Sequence, residues 1–313
     1  MSTYPYVVFG VSGRTGAAAA DALLHAGQPV RVVVRDAAKG KPWAERGAEV
    51  AVADVTDVGS MTEALRRARG AYVVSPQHYT RDDLFVLADR VATTIARAAR
   101  AADVPRLIAL SSIGADRTSG TGWIAMNRLL EQRLQSSAIP TTFLRAVYFM
   151  ENWTSLVAQA LRTGTLPSFL GPLEQRFPMV ATRDVGHVAA DLLVEEEAAS
   201  DVVTLEGPQR YAPAEVCAAI QAATGRSLGV QLLPEPAWPD ALAQSGFSQA
   251  AVAGFSELTR GINSGHIVPD SDPYAERRVG TTALTEVIAK LVADLAGPGA
   301  HARRASAGSA AAG

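Results

Sequence analysis

Tyr6-Val7-Val8-Phe9-Gly10-Val11-Ser12-Gly13-Arg14-Thr15-Gly16 is the stretch that decides the fold. A short β-branched and aromatic run stops at a glycine. An Ala- and Leu-rich stretch, Thr15 to His25, then begins and ends at Gly27. The pattern predicts strand, glycine turn and helix, with Gly27 as the C-terminal stop. The glycines fall as G-x-x-G-x-x-G, one residue longer between the first two than the G-x-G-x-x-G of dinucleotide-binding turns. The physical tasks match. One glycine makes the turn, another lets backbone approach a pyrophosphate, and Gly16 lets the helix lie close to the strand. The helix N-terminus then faces the anion. An ordinary strand-to-helix turn is the plainer reading of the same residues.

The pattern around this stretch supports the first reading. Arg31–Val34, Glu49–Ala53, Ala71–Val74 and Arg106–Leu110 are further short apolar runs bounded by turns, as buried parallel strands are. Helical spacing fills the gaps at Ser60–Arg69 and Arg81–Ala102, where Leu84, Leu87, Val91, Ile95 and Ala98 share a face. The alternation predicts an α/β fold, a Rossmann-type doubly wound parallel sheet. The second half is less regular. It predicts helices at Gly122–Ser136, Trp153–Arg162, Pro213–Ala223 and Phe247–Ile262, and strands at Pro140–Leu144 and Val202–Leu205. Thr182 is expected to cap a helix over Arg183–Glu195, with Asp184 in its first turn. The domain expectation is a dinucleotide-binding unit over 1–146 and a smaller, mostly helical lobe over 147–296, with elements returning to the sheet. A disordered Ala-, Gly-, Ser- and Arg-rich tail is expected over 297–313.

Charge at the second strand selects the nucleotide. An NAD site places Asp or Glu there for the ribose hydroxyls. This chain has Arg35, whose guanidinium suits a 2′-phosphate and an adenine face. Arg14 and Lys39 add positive charge, whereas Asp36 could take the acidic role. The balance predicts NADP(H) over NAD(H). Asp54-Val55 follows the third strand; the carboxylate either accepts the adenine amino group or forms a turn. Ser75-Pro76 ends the fourth strand, where a bound dinucleotide passes.

Composition narrows the function classes. The 313 residues are 48% apolar and 19% charged, with 29 basic against 31 acidic side chains, a balance that does not suit a nucleic-acid binder. One cysteine, Cys217, leaves no intramolecular disulfide, and the five histidines show no metal spacing. No apolar run is long enough to span a membrane, and the N-terminus shows no signal-peptide pattern. A soluble cytoplasmic protein is the expectation.

The glycine loop, Arg35, Leu110-Ser111-Ser112-Ile113-Gly114-Ala115, Leu144-Arg145 and Phe149-Met150-Glu151-Asn152 resemble the NmrA-like family of atypical short-chain dehydrogenase/reductase proteins. The likeness runs from residue 5 to about 265 and includes Asp184-Val185, Leu205-Glu206-Gly207-Pro208 and Phe247–Gly265. It implies an NAD(P)-binding Rossmann-type domain, a small C-terminal lobe and a cleft between them. Family members include NADPH-dependent quinone reductases, reductases of plant phenolic ethers, and redox-sensing regulators without turnover. Carried over, Gly10, Gly13 and Gly16 cradle phosphates, and Ser12, Arg14 and Thr15 line the loop. Arg35 meets the adenosine 2′ position, Ser75 and Pro76 pass the ribose and nicotinamide, and Phe149 borders the nicotinamide and substrate.

One departure bears on catalysis. Relatives in the wider superfamily carry Tyr-x-x-x-Lys after the Ser-Ser strand, the Tyr giving a proton and the Lys lowering its pKa. Here Trp123-Ile124-Ala125-Met126-Asn127 stands there, with Glu131 at the family's helical Glu. Indole is a hydrogen-bond donor but no acid at neutral pH, and Asn127 can hold a ribose hydroxyl only without charge. Ser111, Tyr79 and Tyr148 remain as catalytic candidates, against the plainer readings of strand and loop packing. The expected function is NADPH-dependent hydride transfer to a flat, apolar quinone-like or conjugated carbonyl acceptor, which takes its proton from solvent. The alternative is a non-catalytic NAD(P)-binding redox sensor acting through a protein partner.

Overall fold

The computed structural model describes residues 4–196, 200–269 and 274–296. The tail expected over 297–313 lies outside them. In chain order the first half runs β1 (Tyr6–Val8), α1 (Arg14–His25), β2 (Val30–Val34), α2 (Lys41–Ala44), β3 (Glu49–Val52), α3 (Val58–Leu65), β4 (Gly70–Val73), α4 (Leu84–Ala101), β5 (Leu107–Ser112), α5 (Ala125–Gln135) and β6 (Thr141–Ala146). The second half adds β7 (Tyr148–Phe149), α6 (Thr154–Thr163), β8 (Thr165–Ser168), β9 (Phe177–Val180), α7 (Thr182–Val194), β10 (Val202–Glu206) and β11 (Arg210–Tyr211). It closes with α8 (Pro213–Thr224), β12 (Gly229–Leu232), α9 (Trp238–Ala243), α10 (Gln249–Asn263), β13 (Glu276–Val279) and α11 (Leu284–Ala296).

Eight of these strands form one sheet in the order β13-β10-β6-β5-β4-β1-β2-β3, all neighbours parallel. Both faces are covered, which explains why the strands read as unbroken apolar runs. Val7, Val33, Leu107 and Phe143 pack under α3, α4 and α5 with Met61, Ile95 and Leu130. Tyr6, Val8, Tyr72 and Ile108 turn to the other face, against Leu23 of α1 and Val185 of α7. On that face α1 and α7 touch closely. A Cβ on Gly186 would lie 2.4 Å from the Ala18 Cβ, so glycine sets the interhelical distance. The chain order reverses between β1 and β4, and their C-terminal ends open a crevice there, where ligands of such sheets bind.

The second half is not a separate helical block. Its β10 and β13 extend the main sheet beyond β6, and α7 covers the sheet. A third core, built on Trp153, Leu166, Phe177, Val216 and Ile288, holds α6, α8 and α11 together with the small sheets β11-β9-β7 and β12-β8. Two expectations are corrected. Strand β5 runs on through Ser111 and Ser112 instead of stopping at Leu110. Thr182 is the first residue of α7 and not its cap. The Glu151 carboxylate does that work, accepting the Thr182 N–H at 3.0 Å and its hydroxyl at 2.6 Å. No described helix is long and apolar enough to cross a membrane, and the described residues hold no metal-binding cluster.

Candidate active site

The glycine turn sits in the crevice at the end of β1. Gly10 has φ +71°, a left-handed backbone that glycine adopts without strain, and its carbonyl accepts the Gly13 N–H at 2.8 Å. A Cβ on Gly16 would fall 2.4 Å from the Gly10 oxygen and 2.5 Å from that of Phe9, so only glycine lets α1 start this close to β1. Gly13 caps α1 with no side-chain hydrogen bond, and no acidic residue stands in the first turn. The first-turn N–H groups are therefore free to meet an anion. Ser12, Gly13 and Arg14 are exposed at this point, while Thr15 is half-buried. Arg14 also donates to the Thr154 hydroxyl at 3.2 Å, linking the loop to the second lobe.

Arg35 follows β2 and is exposed. It faces Asp54 and His78 electrostatically, which places the ends of β2, β3 and β4 around one cationic group. Burial, then Arg35 and Arg81, hold the His78 imidazole below its ordinary value. The competing acid is engaged locally: Asp36 accepts the Ala38 N–H at 2.9 Å and caps a short turn that contains Lys39. Asp54 is a turn-former. One of its oxygens accepts both the Thr56 N–H and hydroxyl at 2.8 Å, and these bonds hold its carboxyl below the usual value. Val55 packs inward on the α3 core. Ser75 and Pro76 lie half-buried in the loop after β4.

The catalytic candidates fare differently. Ser111 is only 3% exposed and gives its one proton to the Glu131 carboxylate at 2.5 Å. That corrects the idea that it donates to a substrate oxygen. Glu131 also holds Arg145 in a two-point pair, at 2.9 and 2.7 Å, and Arg145 reaches Asp116 at 3.7 Å. The network ties the C-terminal parts of β5 and β6 to α5. Tyr79 stacks on Trp123, with ring centroids 3.8 Å apart and an interplanar angle of 19°. Tyr148 sits edge-on to Trp153 and pairs with Asn152. Burial pushes both phenols above their ordinary value, opposite to the tuning of a proton donor at neutral pH. Phe149 is half-buried against the sheet. Asn127 lies on α5, half-buried, and its amide has no partner among the described residues.

Sequence reading missed what holds Trp123. Its indole N–H donates to the Ala251 carbonyl at 2.9 Å. A Cβ on Gly254 would lie 2.5 Å from the indole, so α10 fits over the ring only because that residue is glycine. Phe247 and Phe255 meet it at 5.5 and 5.2 Å. The Ser248 hydroxyl and N–H donate to the Arg81 and Tyr79 carbonyls at 2.9 Å, tying the start of α10 to the loop after β4. Trp123 thus stands where a tyrosine acid was looked for, locked into an aromatic wall. The residues that close this wall come from more than a hundred positions away, which local pattern does not reveal. Cys217 is buried and its thiol is pushed up by burial, so it is a packing residue.

These residues fit a phosphorylated dinucleotide. The uncapped, acid-free helix start suits a diphosphate, and Arg35, beside a carboxylate already used as a cap, suits a 2′-phosphate.

Comparison with known proteins agrees with this geometry. The sequence profile of the NmrA-like family matches residues 5–256. The NAD(P)H azoreductase of Xenophilus azovorans is 28% identical over 258 residues, 80% of this chain and 85% of the relative. Quinone oxidoreductase 2 of Escherichia coli K12 is 25% identical over 297 residues, 91% of this chain and 97% of the relative. Among solved structures, the NADPH complex of an Escherichia coli NADPH-dependent quinone oxidoreductase has a TM-score of 0.76 at 22% identity, covering 92% of this chain and 99% of that one. The triphenylmethane reductase of Citrobacter sp. has 0.75 at 20% identity, with coverage of 92% and 99%. The overall fold is thus shared with these solved structures, and the chain belongs to the NmrA-like family.

Proposed function

We propose that the protein is an NADPH-dependent oxidoreductase that passes hydride to a flat, apolar acceptor of the quinone or conjugated carbonyl class. The observation that carries this reading is the uncapped Gly10–Gly16 turn together with the exposed Arg35 just past the end of β2. The azoreductase and quinone oxidoreductase relatives support it. When bound, the reduced nicotinamide supplies the hydride.

The chain's own part is to bind, orient and exclude water. The first turn of α1, with Ser12 and Thr15, holds the diphosphate by N–H groups and the helix dipole, and Gly13 leaves room for its approach. Arg35 takes the 2′-phosphate. Ser75, Pro76 and Phe149 border the nicotinamide side, and Asn127 offers an uncharged hydrogen bond to a ribose hydroxyl. Tyr79 and Trp123, backed by Phe247, give an apolar aromatic wall for a planar acceptor. Catalysis then rests on proximity and orientation. A reduced quinone oxygen draws its proton from water, so no Tyr–Lys pair is required.

The locked Trp123 also favours a second reading, a redox-sensing NAD(P) binder that changes its affinity for a protein partner. Absorbance of NADPH, followed with the protein and a set of simple benzoquinones and naphthoquinones, separates the two. Oxidation above the protein-free control supports the reductase. Binding without consumption of NADPH by any acceptor overturns it in favour of the sensor.

A further inference from the structure

A cavity of about 960 Å³ lies between the C-terminal half of α10, the β8–β9 connection, the segment from β12 to α9 and the loop between β5 and α5 at Ser119 and Gly120. No residue of the dinucleotide site lines it. Its volume suits a small organic molecule. The apolar wall is Leu232, Leu233, Pro172 and Trp238. Leu232 is 42% exposed and overlies Gly171.

Two carboxylates and one guanidinium line the cavity. Glu235 is spent on Arg260 at 2.8 Å. Glu257, one turn before Arg260 on α10, is half-buried, and no cation pairs with it among the described residues. His266 is the other titratable group; its ring nitrogen bonds the Ser119 carbonyl at 3.1 Å. The Trp238 indole N–H is likewise used, on the Leu233 carbonyl at 2.8 Å. The polar demand left at the wall is thus one uncompensated negative charge beside apolar surface. A half-buried carboxylate without a partner favours a positive ligand.

We propose that this cavity binds a flat organic cation, its ring system against Leu232, Leu233 and Pro172 and its charge beside Glu257. Binding here does not depend on hydride transfer, so it is read without turnover.

N-methylacridinium and acridine form a matched pair, the same ring system with and without charge, the second neutral at mildly alkaline pH. Fluorescence titration of the full chain should show the cation bound roughly five- to tenfold tighter than the neutral ring. Glu257→Gln should abolish that preference and leave acridine affinity unchanged. Leu232→Ser, at an exposed position, should weaken both ligands to a similar degree. Saturating NADP+ should leave the titration unaltered. Equal affinity for the two rings, a preference that survives Glu257→Gln, displacement by NADP+, or no binding of either ring would each overturn the proposal.

Discussion

Arg35 shows how much a single side chain can decide. A carboxylate at the end of β2 would accept ribose hydroxyls; a guanidinium there attracts a 2′-phosphate instead. Asp36, next in the chain, gives one carboxylate oxygen to the Ala38 N–H as the cap of the following turn. Replacing Arg35 by Glu should therefore raise the NADPH dissociation constant by about tenfold to a hundredfold, from loss of a charge-assisted contact, while NADH binding changes little. Fluorescence titration with both dinucleotides checks this. Glu131 makes the opposite case, a charged residue whose work is structural. It is 4% exposed and answers both Arg145 and Ser111. Glu131→Ala leaves Arg145 charged, buried and without its main partner. The expected loss is about 3–5 kcal/mol of stability, read by denaturant unfolding.

At the scale of elements, the β1–α1 unit was legible because its signals are local. A β-branched run, three glycines and an Ala-rich helix lie within twenty residues, and the structure places them as read. Gly16→Ala tests that packing directly. The added Cβ would press on two backbone oxygens at 2.4 and 2.5 Å, and neither can move without displacing the turn. The variant should lose about 1–3 kcal/mol of stability. It should also lose measurable NADPH binding, which titration and thermal melting together reveal. The short strands of the second half were not legible. β7 and β11 are two residues each, and β13 reads Glu-Arg-Arg-Val at a sheet edge, with no apolar run to mark it. The partner of Ser111 was equally hidden, since Glu131 sits twenty residues on, in α5. The aromatic wall depends on α10 crossing back over the loop after β4, a long-range event that helical spacing in either segment leaves unspecified.

For the whole molecule, the main sheet is the joint between the two halves. The outer strands β10 and β13 come from the second half, and side chains pin β13 to α7, which covers the sheet. Glu195, just past α7, holds Arg278 of β13 by two bonds at 2.6 and 2.8 Å. That pairing holds the Glu195 carboxyl below its ordinary value of 4.5. A group whose folded pKa is depressed stabilises the fold fully above its unfolded value and loses that contribution as pH falls through the folded one. Acid should therefore weaken the hold of α7 on β13 below about pH 4.5. Glu195→Gln should lower stability at neutral pH and flatten its fall below that point, as seen by melting across a pH series. The Asp184 carboxylate adds a second pin, accepting the Thr282 N–H and hydroxyl at 2.8 and 2.6 Å near the start of α11.

Hydride transfer without a protein acid is the central claim, and single-turnover oxidation of bound NADPH by a benzoquinone, followed across the neutral pH range, tests it most directly. The account predicts consumption of NADPH at a rate that does not titrate with any protein group and is unchanged in Tyr79→Phe and Tyr148→Phe. A rate governed by a single ionisation and lost with either hydroxyl would contradict it, as would NADPH that binds and is never oxidised.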